Sequence, residues 1–261
     1  MSQGKTRGRP VMLDDNDYLR YGRQLLLPDW GEGGQQAIAN AKVLVIGLGG
    51  LGVSVLASLA GCGVGKLVLV DGDKVSLSNL HRQWIYQPEQ VGMAKVHAAT
   101  RWANQLNPDV HVDAYEQMVD ELTLHTLLPE VDLVLDCTDN LGSRHLINRG
   151  CCEYRRPLIS GAAIGWQGQL QYIAPSGPCF ACLCPQQQGG EPANCREAGV
   201  VPPVVSAIGH LQALMALKVL LNQPLDFHLR RFDGHTLSWQ QFELGANPDC
   251  TVCGGNHESH H

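Results

Sequence analysis

The sequence predicts an α/β protein with a doubly wound, Rossmann-like nucleotide-binding sheet that antiparallel strands extend into a mixed sheet. In the first half of the chain, short β-branched apolar runs alternate with segments of helical spacing, which is typical of parallel sheets covered by helices. The first of these runs leads directly into a Gly-rich turn. After Pro157, two strand-like runs are joined by only a short Gly-rich connection, which favours an antiparallel pair.

The elements of the first half follow from periodicity. Apolar residues are spaced around charged positions over 14–27, which predicts a helix. Continuous apolar runs, typical of strands buried on both faces, lie at 42–46, 66–70 and 131–135, and residues 110–114 alternate as a further strand. Helical spacing separates these strands at 53–62, 93–106 and 121–128.

The second half has a different texture. The antiparallel pair is predicted at 158–163 and 168–173, and a second hairpin at 229–232 and 237–244 around Asp233 and Gly234. Residues 175–200 combine cysteines, prolines and glycines with little periodicity, which indicates a long functional crossover loop. Helical spacing returns at 204–221.

Composition excludes several classes of function. The 261 residues carry 19 Lys and Arg against 25 Asp and Glu, a net charge of -6, so we expect no nucleic acid or membrane as partner. The charged N-terminus is not followed by the apolar stretch of a secretory signal. Ten cysteines would suggest disulfides in a short secreted chain, but this chain is long and shows no secretory signal. We therefore expect a reduced, cytoplasmic protein. The isolated cysteines are expected to be small core residues: Cys62, Cys137, Cys151 and Cys152.

The Gly-rich turn predicts a phosphate-binding loop. Gly47, Gly49 and Gly52 satisfy G-x-G-x-x-G between a strand and a helix, where backbone amides and the positive end of the helix can approach a phosphate. Asp71 ends the next strand, where a carboxylate can accept hydrogen bonds from ribose hydroxyls. Tight strand-to-helix turns show the same glycines, and a nicotinamide oxidoreductase would share both features.

Further polar residues distinguish a triphosphate site from a nicotinamide site. Asn79, Arg82 and Lys95 follow the second strand and suit the neutralisation of phosphate charge. Asp139 follows a buried strand at its carboxyl end, which faces the ligand crevice in open α/β sheets. A carboxylate there is a candidate magnesium ligand beside phosphates. Each residue alone is also compatible with a solvated surface charge.

At this point the chain resembles the ThiF/MoeB/HesA proteins, bacterial relatives of the ubiquitin-activating enzymes, over roughly residues 14–255. The segments that carry the resemblance are RYGRQ at 20–24, GLGGLG at 47–52, DGD at 71–73, SNLHRQ at 78–83, GMAK at 92–95, DCTDN at 136–140 and NCREAGVV at 194–201. The resemblance implies a single adenylation domain at 14–255, with a nucleotide half at 42–156, a carrier-binding and zinc half at 157–255, and polar tails at 1–13 and 256–261.

The same resemblance implies ATP-dependent adenylation of the C-terminal Gly carboxylate of a ubiquitin-like sulfur-carrier protein that ends in Gly-Gly. It also implies a homodimer in which Arg23 reaches the ATP of the other subunit, and a separate sulfur donor such as a cysteine desulfurase. The implied nucleotide contacts are Gly47, Gly49, Gly50, Leu51, Gly52, Asp71, Asp73, Asn79, Arg82, Gln83, Lys95, Asp139 and Asn140. The implied catalytic residues are Arg23, Arg82, Lys95, Asp139 and Cys195.

Two C-x-x-C pairs predict a zinc centre. Cys179 with Cys182 and Cys250 with Cys253 supply four thiolates, which suit tetrahedral zinc with every position closed. Because the pairs are far apart in the chain, the metal would tie the crossover loop to the C-terminal tail. A redox dithiol is the alternative for either pair.

Cys195 lies in the crossover loop and is followed by Arg196, whose charge favours a thiolate. By resemblance it matches the cysteine that can link covalently to the carrier in the thiamine branch. A spectator thiol is the alternative.

Three functions remain open from the sequence: an adenylyltransferase, a nicotinamide oxidoreductase and a non-catalytic carrier-binding scaffold. Arg82, Lys95 and Asp139 would be idle in the oxidoreductase, and a scaffold would need none of them or Arg23. Within the first function, the thiamine and molybdopterin pathways both use carriers that end in Gly-Gly. By resemblance, residues 194–196, 200–205 and 229–234 favour the thiamine branch.

Overall fold

The computed structural model of the chain describes residues 13–185 and 199–254. Its helices are α1 (Asp15–Leu25), α2 (Gly31–Asn40), α3 (Gly50–Gly61), α4 (Lys95–Leu106), α5 (Glu121–Leu127), α6 (Leu141–Glu153), α7 (Phe180–Leu183) and α8 (Pro202–Leu220). Its strands are β1 (Lys42–Ile46), β2 (Lys66–Val70), β3 (His111–Tyr115), β4 (Leu133–Asp136), β5 (Leu158–Ile164), β6 (Gln167–Ile173), β7 (His228–Asp233) and β8 (Ser238–Glu243).

The eight strands form one sheet in the order β3-β2-β1-β4-β5-β6-β7-β8. Strands β3, β2, β1, β4 and β5 pair in parallel, and β5-β6, β6-β7 and β7-β8 pair antiparallel. The predicted mixed α/β sheet is therefore confirmed. Strand order reverses between β1 and β4, and in open α/β sheets ligands bind at this switch point, outside the carboxyl ends of the strands.

Both faces of the sheet are covered. Val43 and Val45 of β1 belong to the apolar core on the side of α3 and α8, whereas Leu44 and Ile46 belong to the core on the other side. This burial on both faces explains why β1 reads as a continuous apolar run rather than as an alternation.

The β5-β6 connection is a two-residue turn. Ile164 pairs with Gln167, and Gly165 occupies the first turn position with a φ of 56°. That geometry matches a type II′ turn, in which glycine takes the positive φ without strain. The short connection is what allowed the sequence to predict this antiparallel pair.

Three helices differ from the sequence prediction. Helix α3 begins at Gly50, inside the Gly-rich motif and not at 53. Helix α6 was not predicted, although Asn140 caps it by accepting the Ser143 N–H at 2.8 Å. The short α7 lies within the segment predicted as a crossover loop, of which residues 186–198 fall outside the described residues.

Helix α8 is long and apolar enough to cross a membrane by length and composition alone, but half of that stretch is buried within the molecule. It packs closely on α3, because a Cβ on Gly209 would lie 2.5 Å from the Leu51 carbonyl oxygen. Its Gln212 is fully buried and donates to the Asp136 carbonyl at 2.9 Å. These contacts identify α8 as a core helix.

Candidate active site

The Gly-rich loop lies at the carboxyl end of β1, against the loop that follows β4. Gly47 has a φ of 91°, and a Cβ there would lie 2.8 Å from the Cys137 carbonyl oxygen. A Cβ on Gly52 would lie only 1.9 Å from the Gly47 carbonyl oxygen. Both positions therefore require glycine, for backbone conformation and for close approach. The loop leads straight into the N-terminus of α3, where free backbone amides attract an anion.

Asp71 connects this loop to the residues that follow β2. One carboxylate oxygen accepts the Leu48 N–H at 2.6 Å, and the other accepts the Asp73 N–H at 2.7 Å. Burial raises the pKa of Asp71 despite the Lys95 charge and these two donors. Tyr86 fixes the same loop from the other side by donating its hydroxyl to the Leu48 carbonyl at 3.0 Å.

The predicted cationic residues are positioned by short-range contacts. The Lys95 ammonium is buried and pairs with Asp73 at 2.9 Å; its other two protons can serve a ligand. The Arg82 guanidinium donates to the Ser78 carbonyl at 3.0 Å. Gln83 is buried, and its Oε1 has no hydrogen-bond partner among the described residues, which fits an acceptor that awaits a donor from a bound molecule.

The loop after β4 is held by a buried polar network. Asp136 accepts the Thr138 N–H at 3.0 Å and the Ser160 hydroxyl at 2.8 Å. Arg144 of α6 donates to the Thr138 carbonyl, to the Gly161 carbonyl at 2.7 Å and to the Ser160 hydroxyl at 3.2 Å. This network fixes the backbone next to Asp139, whose side chain is exposed.

Arg144 is a site residue that the sequence analysis missed. The position of Arg144 at the site follows only from the helical conformation of α6. In that helix, Arg144 lies one turn after the N-cap residue Asn140 and points back toward the loop that follows β4. Residues 141–153 had not been predicted as helical, so this relation was not visible.

These loops enclose a cavity of about 1070 Å³. Its walls include all the predicted nucleotide-binding residues except Gly52, which supports the loop from behind. The cavity continues along the antiparallel strands to Ala162, Gln169 and Arg231. Arg144, His81 and Gln117 also line it and were not predicted.

Among the described residues of a single chain, two of the predicted catalytic residues are not found in the cavity wall. Arg23 is exposed in the last turn of α1 and does not line the cavity. Cys195 lies outside the described residues. Gly199, four positions later in the sequence, does line the cavity.

The four cysteines of the C-x-x-C pairs come together as a cluster with all sulfurs within 4.8 Å of one another. Sulfur separations are 3.9 Å for Cys179 and Cys182, 3.7 Å for Cys179 and Cys250, and 3.5 Å for Cys182 and Cys253. A tetrahedral zinc with Zn–S bonds of about 2.3 Å needs sulfurs about 3.8 Å apart. The cluster therefore fits a closed zinc centre, between α7 and the C-terminal turn.

A fifth cysteine and an amide lie beside this cluster. The donor groups of Cys152 and, in addition, of Asn148 lie close enough to Cys179 to lower the pKa of its thiol. Cys152 is only half-buried, whereas Cys137 and Cys151 are buried as the sequence predicted.

Comparison with known proteins supports the family resemblance that the sequence motifs indicate. Residues 21–252 match the model of the ThiF family. The chain is 43% identical over 248 residues to the sulfur carrier protein ThiS adenylyltransferase of Escherichia coli K12, covering 94% of this chain and 98% of that protein. It is 40% identical over 246 residues to the molybdopterin-synthase adenylyltransferase of the same organism, covering 93% and 98%.

A crystal structure of E. coli MccB with MccA-N7isoASN superposes with a TM-score of 0.80 at 22% identity, covering 95% of this chain and 76% of that chain. At this identity, the likeness concerns the fold alone. The sequence matches carry the assignment further, because they extend over nearly the whole length of both chains. The chain belongs to the ThiF family, and it is a nucleotidyltransferase.

Proposed function

We propose that this protein adenylates the C-terminal Gly carboxylate of a ubiquitin-like sulfur-carrier protein. The observation that carries the proposal is the single cavity that joins the phosphate loop to the antiparallel strands. A nucleotide at the Gly-rich end leaves the other end for an extended polypeptide tail. The full-length matches to two carrier adenylyltransferases support this substrate class.

In the proposed reaction, a carboxylate oxygen of the carrier attacks the α-phosphorus of ATP. The bond from that phosphorus to the oxygen bridging to the β-phosphate breaks, so that an acyl-adenylate forms and pyrophosphate leaves. Arg82 and Lys95 stabilise the negative charge that grows on the phosphates, because both cations line the cavity. Asp71 accepts hydrogen bonds from the ribose hydroxyls.

Asp139 is the proposed magnesium ligand. Magnesium usually takes one or two carboxylates and fills its shell with phosphate oxygens and water, and an exposed carboxylate on the cavity wall suits that donor set. The metal supplies neutralisation of phosphate charge.

The active unit is proposed to be a homodimer in which Arg23 serves the cavity of the other subunit. Two features of α1 support this proposal: Arg23 lies outside its own cavity, and Leu19 and Leu26 of the same region are 84% and 74% exposed. Apolar side chains exposed together indicate a contact surface.

The zinc centre is proposed to be structural. Its four thiolates close the coordination shell, and the metal would tie α7 to the C-terminal turn at the side of the cavity lined by Phe180 and Leu183. Sulfur would come from a separate donor such as a cysteine desulfurase, with Cys195 accepting the activated carrier. We place the reaction in the cytoplasm.

We further propose the thiamine pathway, on the segments at 194–196, 200–205 and 229–234. Pyrophosphate exchange into ATP tests the function and the pathway together. We expect exchange that depends on a carrier, with the thiamine carrier preferred over the molybdopterin carrier. The reverse preference would refute the pathway, and no exchange with either carrier would refute the adenylation.

The role of Cys195 is tested separately. Adenylation requires only phosphate chemistry, whereas an acyl-adenylate is an electrophile that a thiolate can attack. Cys195→Ser is expected to keep pyrophosphate exchange and to lose the thiol-sensitive adduct with the carrier, a thioester formed as AMP leaves, that mass spectrometry detects on the parent protein. Full sulfur transfer by Cys195→Ser, with no adduct on the parent protein, would make this thiol a spectator.

A further inference from the structure

Helix α6 presents two polar side chains to the cysteine cluster from the same face. Asn148 and Cys152 are four residues apart, and such positions lie one above the other on an α-helix. Both approach Cys179, whose sulfur is completely buried. Neither residue belongs to the two C-x-x-C pairs.

Asn148 has a fixed orientation and an unused donor. The residue is 0% exposed, and its Oδ1 accepts the Phe180 N–H at 2.9 Å. Because the oxygen is engaged with a donor, the other end of the carboxamide must be the NH₂ group. This Nδ2 has no hydrogen-bond partner among the described residues, and a buried donor without an acceptor is destabilising. A thiolate at Cys179 supplies the missing acceptor.

Cys152 adds a second donor one turn later. Its thiol lies beside the sulfur of Cys179 and packs against the apolar cluster that contains Cys179 and Cys250. A zinc ion with four thiolates carries a net negative charge, so N–H and S–H donors aimed at its sulfurs stabilise the centre.

We propose that Asn148 and Cys152 are positioning residues of the zinc centre, donating hydrogen bonds to the zinc-bound sulfur of Cys179 and setting how tightly the chain holds the metal. The inference rests on the zinc centre proposed above. Loss of an outer hydrogen-bond partner typically weakens metal affinity about ten- to a hundredfold.

Zinc affinity tests the proposal directly, by competition with a chromophoric chelator on the full-length chain. Asn148→Asp keeps the acceptor for the Phe180 N–H but replaces the donor by an oxygen, and Cys152→Ala removes the thiol. Each is expected to weaken zinc binding about ten- to a hundredfold. Cys152→Ser restores a donor and should recover most of the affinity. Cys62→Ala, which removes a half-buried thiol at the end of α3, should leave the affinity unchanged.

Cobalt substitution gives a spectroscopic readout that a purely structural role would not change. With one donor fewer, the Cys179 thiolate transfers charge to the metal more easily, so the charge-transfer band of Cys152→Ala should move to longer wavelength and that of Cys152→Ser should not. If Asn148→Asp fails to fold, the two Cys152 variants decide.

A parental zinc affinity together with an unshifted charge-transfer band in Cys152→Ala would overturn the proposal. A purified parent protein that contains no zinc would overturn it as well. Zinc content and pyrophosphate exchange of the parent are measured first. A parent that binds zinc with the expected variant effects, yet shows no exchange, would refute the adenylation while supporting the roles of Asn148 and Cys152.

Discussion

Asp139 is the residue at which function and folding should separate most clearly. Its side chain is exposed on the cavity wall, so Asp139→Asn should leave the free energy of unfolding nearly unchanged. If the carboxylate holds magnesium, its loss removes one preorganised electrostatic partner of the phosphates. That effect is typically about 3 kcal/mol, or about a hundredfold in rate. The rate of pyrophosphate exchange measures the loss of activity, and thermal unfolding measures the stability.

Asp109→Asn is the matched control for this variant. Asp109 is exposed and precedes β3, so it lies at the amino end of the parallel strands, opposite the cavity. Asp109→Asn makes the same change of charge as Asp139→Asn and should retain the parental rate of pyrophosphate exchange. Undiminished exchange in Asp139→Asn would remove Asp139 from the mechanism.

Substitution of Arg144, in contrast, should lower the free energy of unfolding. Arg144 is buried beside the buried carboxylate of Asp136, at 4.0 Å. Arg144→Met leaves that carboxylate without its cation, which typically destabilises a protein by about 3–5 kcal/mol. Arg149→Met on the same helix breaks only an exposed ion pair with Glu121, worth about 0–1 kcal/mol. Denaturant unfolding compares them, and equal losses in the two variants would contradict a structural role for the buried network.

Site residues could be predicted from the sequence where a motif or a strand end marks the position. Asp71 and Asp139 follow buried strands, so the periodicity of the strands pointed to them. Arg144 and Asn148 have no such marker, because their roles depend on a helix whose two internal glycines and polar residues obscure its apolar face. The roles of Asp71 and Asp139 in the reaction stay predictions, as do those of Arg23 and Cys195.

Two glycines of α3 differ in the space that a larger side chain would find. A Cβ on Gly52 would collide with the Gly47 carbonyl, whereas a Cβ on Gly61 would meet only the Leu106 side chain at 4.0 Å. Gly52→Ala should therefore push the phosphate loop out of place, destabilise the fold by about 1–3 kcal/mol and weaken ATP binding. Gly61→Ala should be neutral or stabilise by up to about 1 kcal/mol, since alanine lowers the entropy cost of helix formation.

Thermal unfolding and nucleotide titration of the two variants check this comparison. Parental ATP affinity and stability in Gly52→Ala would show that the loop can move aside, and the close contact would then carry no functional meaning.

The elements themselves were predictable to different degrees. Strands β1 and β2 were predicted to the residue, because burial on both faces leaves an unbroken apolar run. The start of α3 was missed, since glycines at 50 and 52 read as a turn when only local propensity is considered. In the structure, Gly52 lies within α3, and its close contact with the Gly47 backbone excludes any larger residue.

The switch from parallel to antiparallel pairing within the sheet was predictable from the short turn at Gly165, and the mixed sheet follows from it. The cysteine cluster was predictable from two C-x-x-C pairs, although only the fold shows that α7 and the C-terminal turn meet. The proposed assembly of two copies has no comparable local signal in the sequence.

The proposed homodimer predicts that two inactive chains can restore each other. Arg23→Ala retains Asp139, and Asp139→Asn retains Arg23, so a heterodimer of the two variants contains one cavity with its own Asp139 and the partner subunit's Arg23. Because random pairing makes about half of all dimers mixed, an equimolar co-refolded sample should recover about a quarter of parental pyrophosphate exchange, while each variant refolded alone stays inactive. Native mass spectrometry verifies that heterodimers form. Verified heterodimers without recovered exchange would place Arg23 in its own chain's reaction or outside the reaction altogether, because an arginine acting across the interface cannot fail in the one cavity where both required side chains are present.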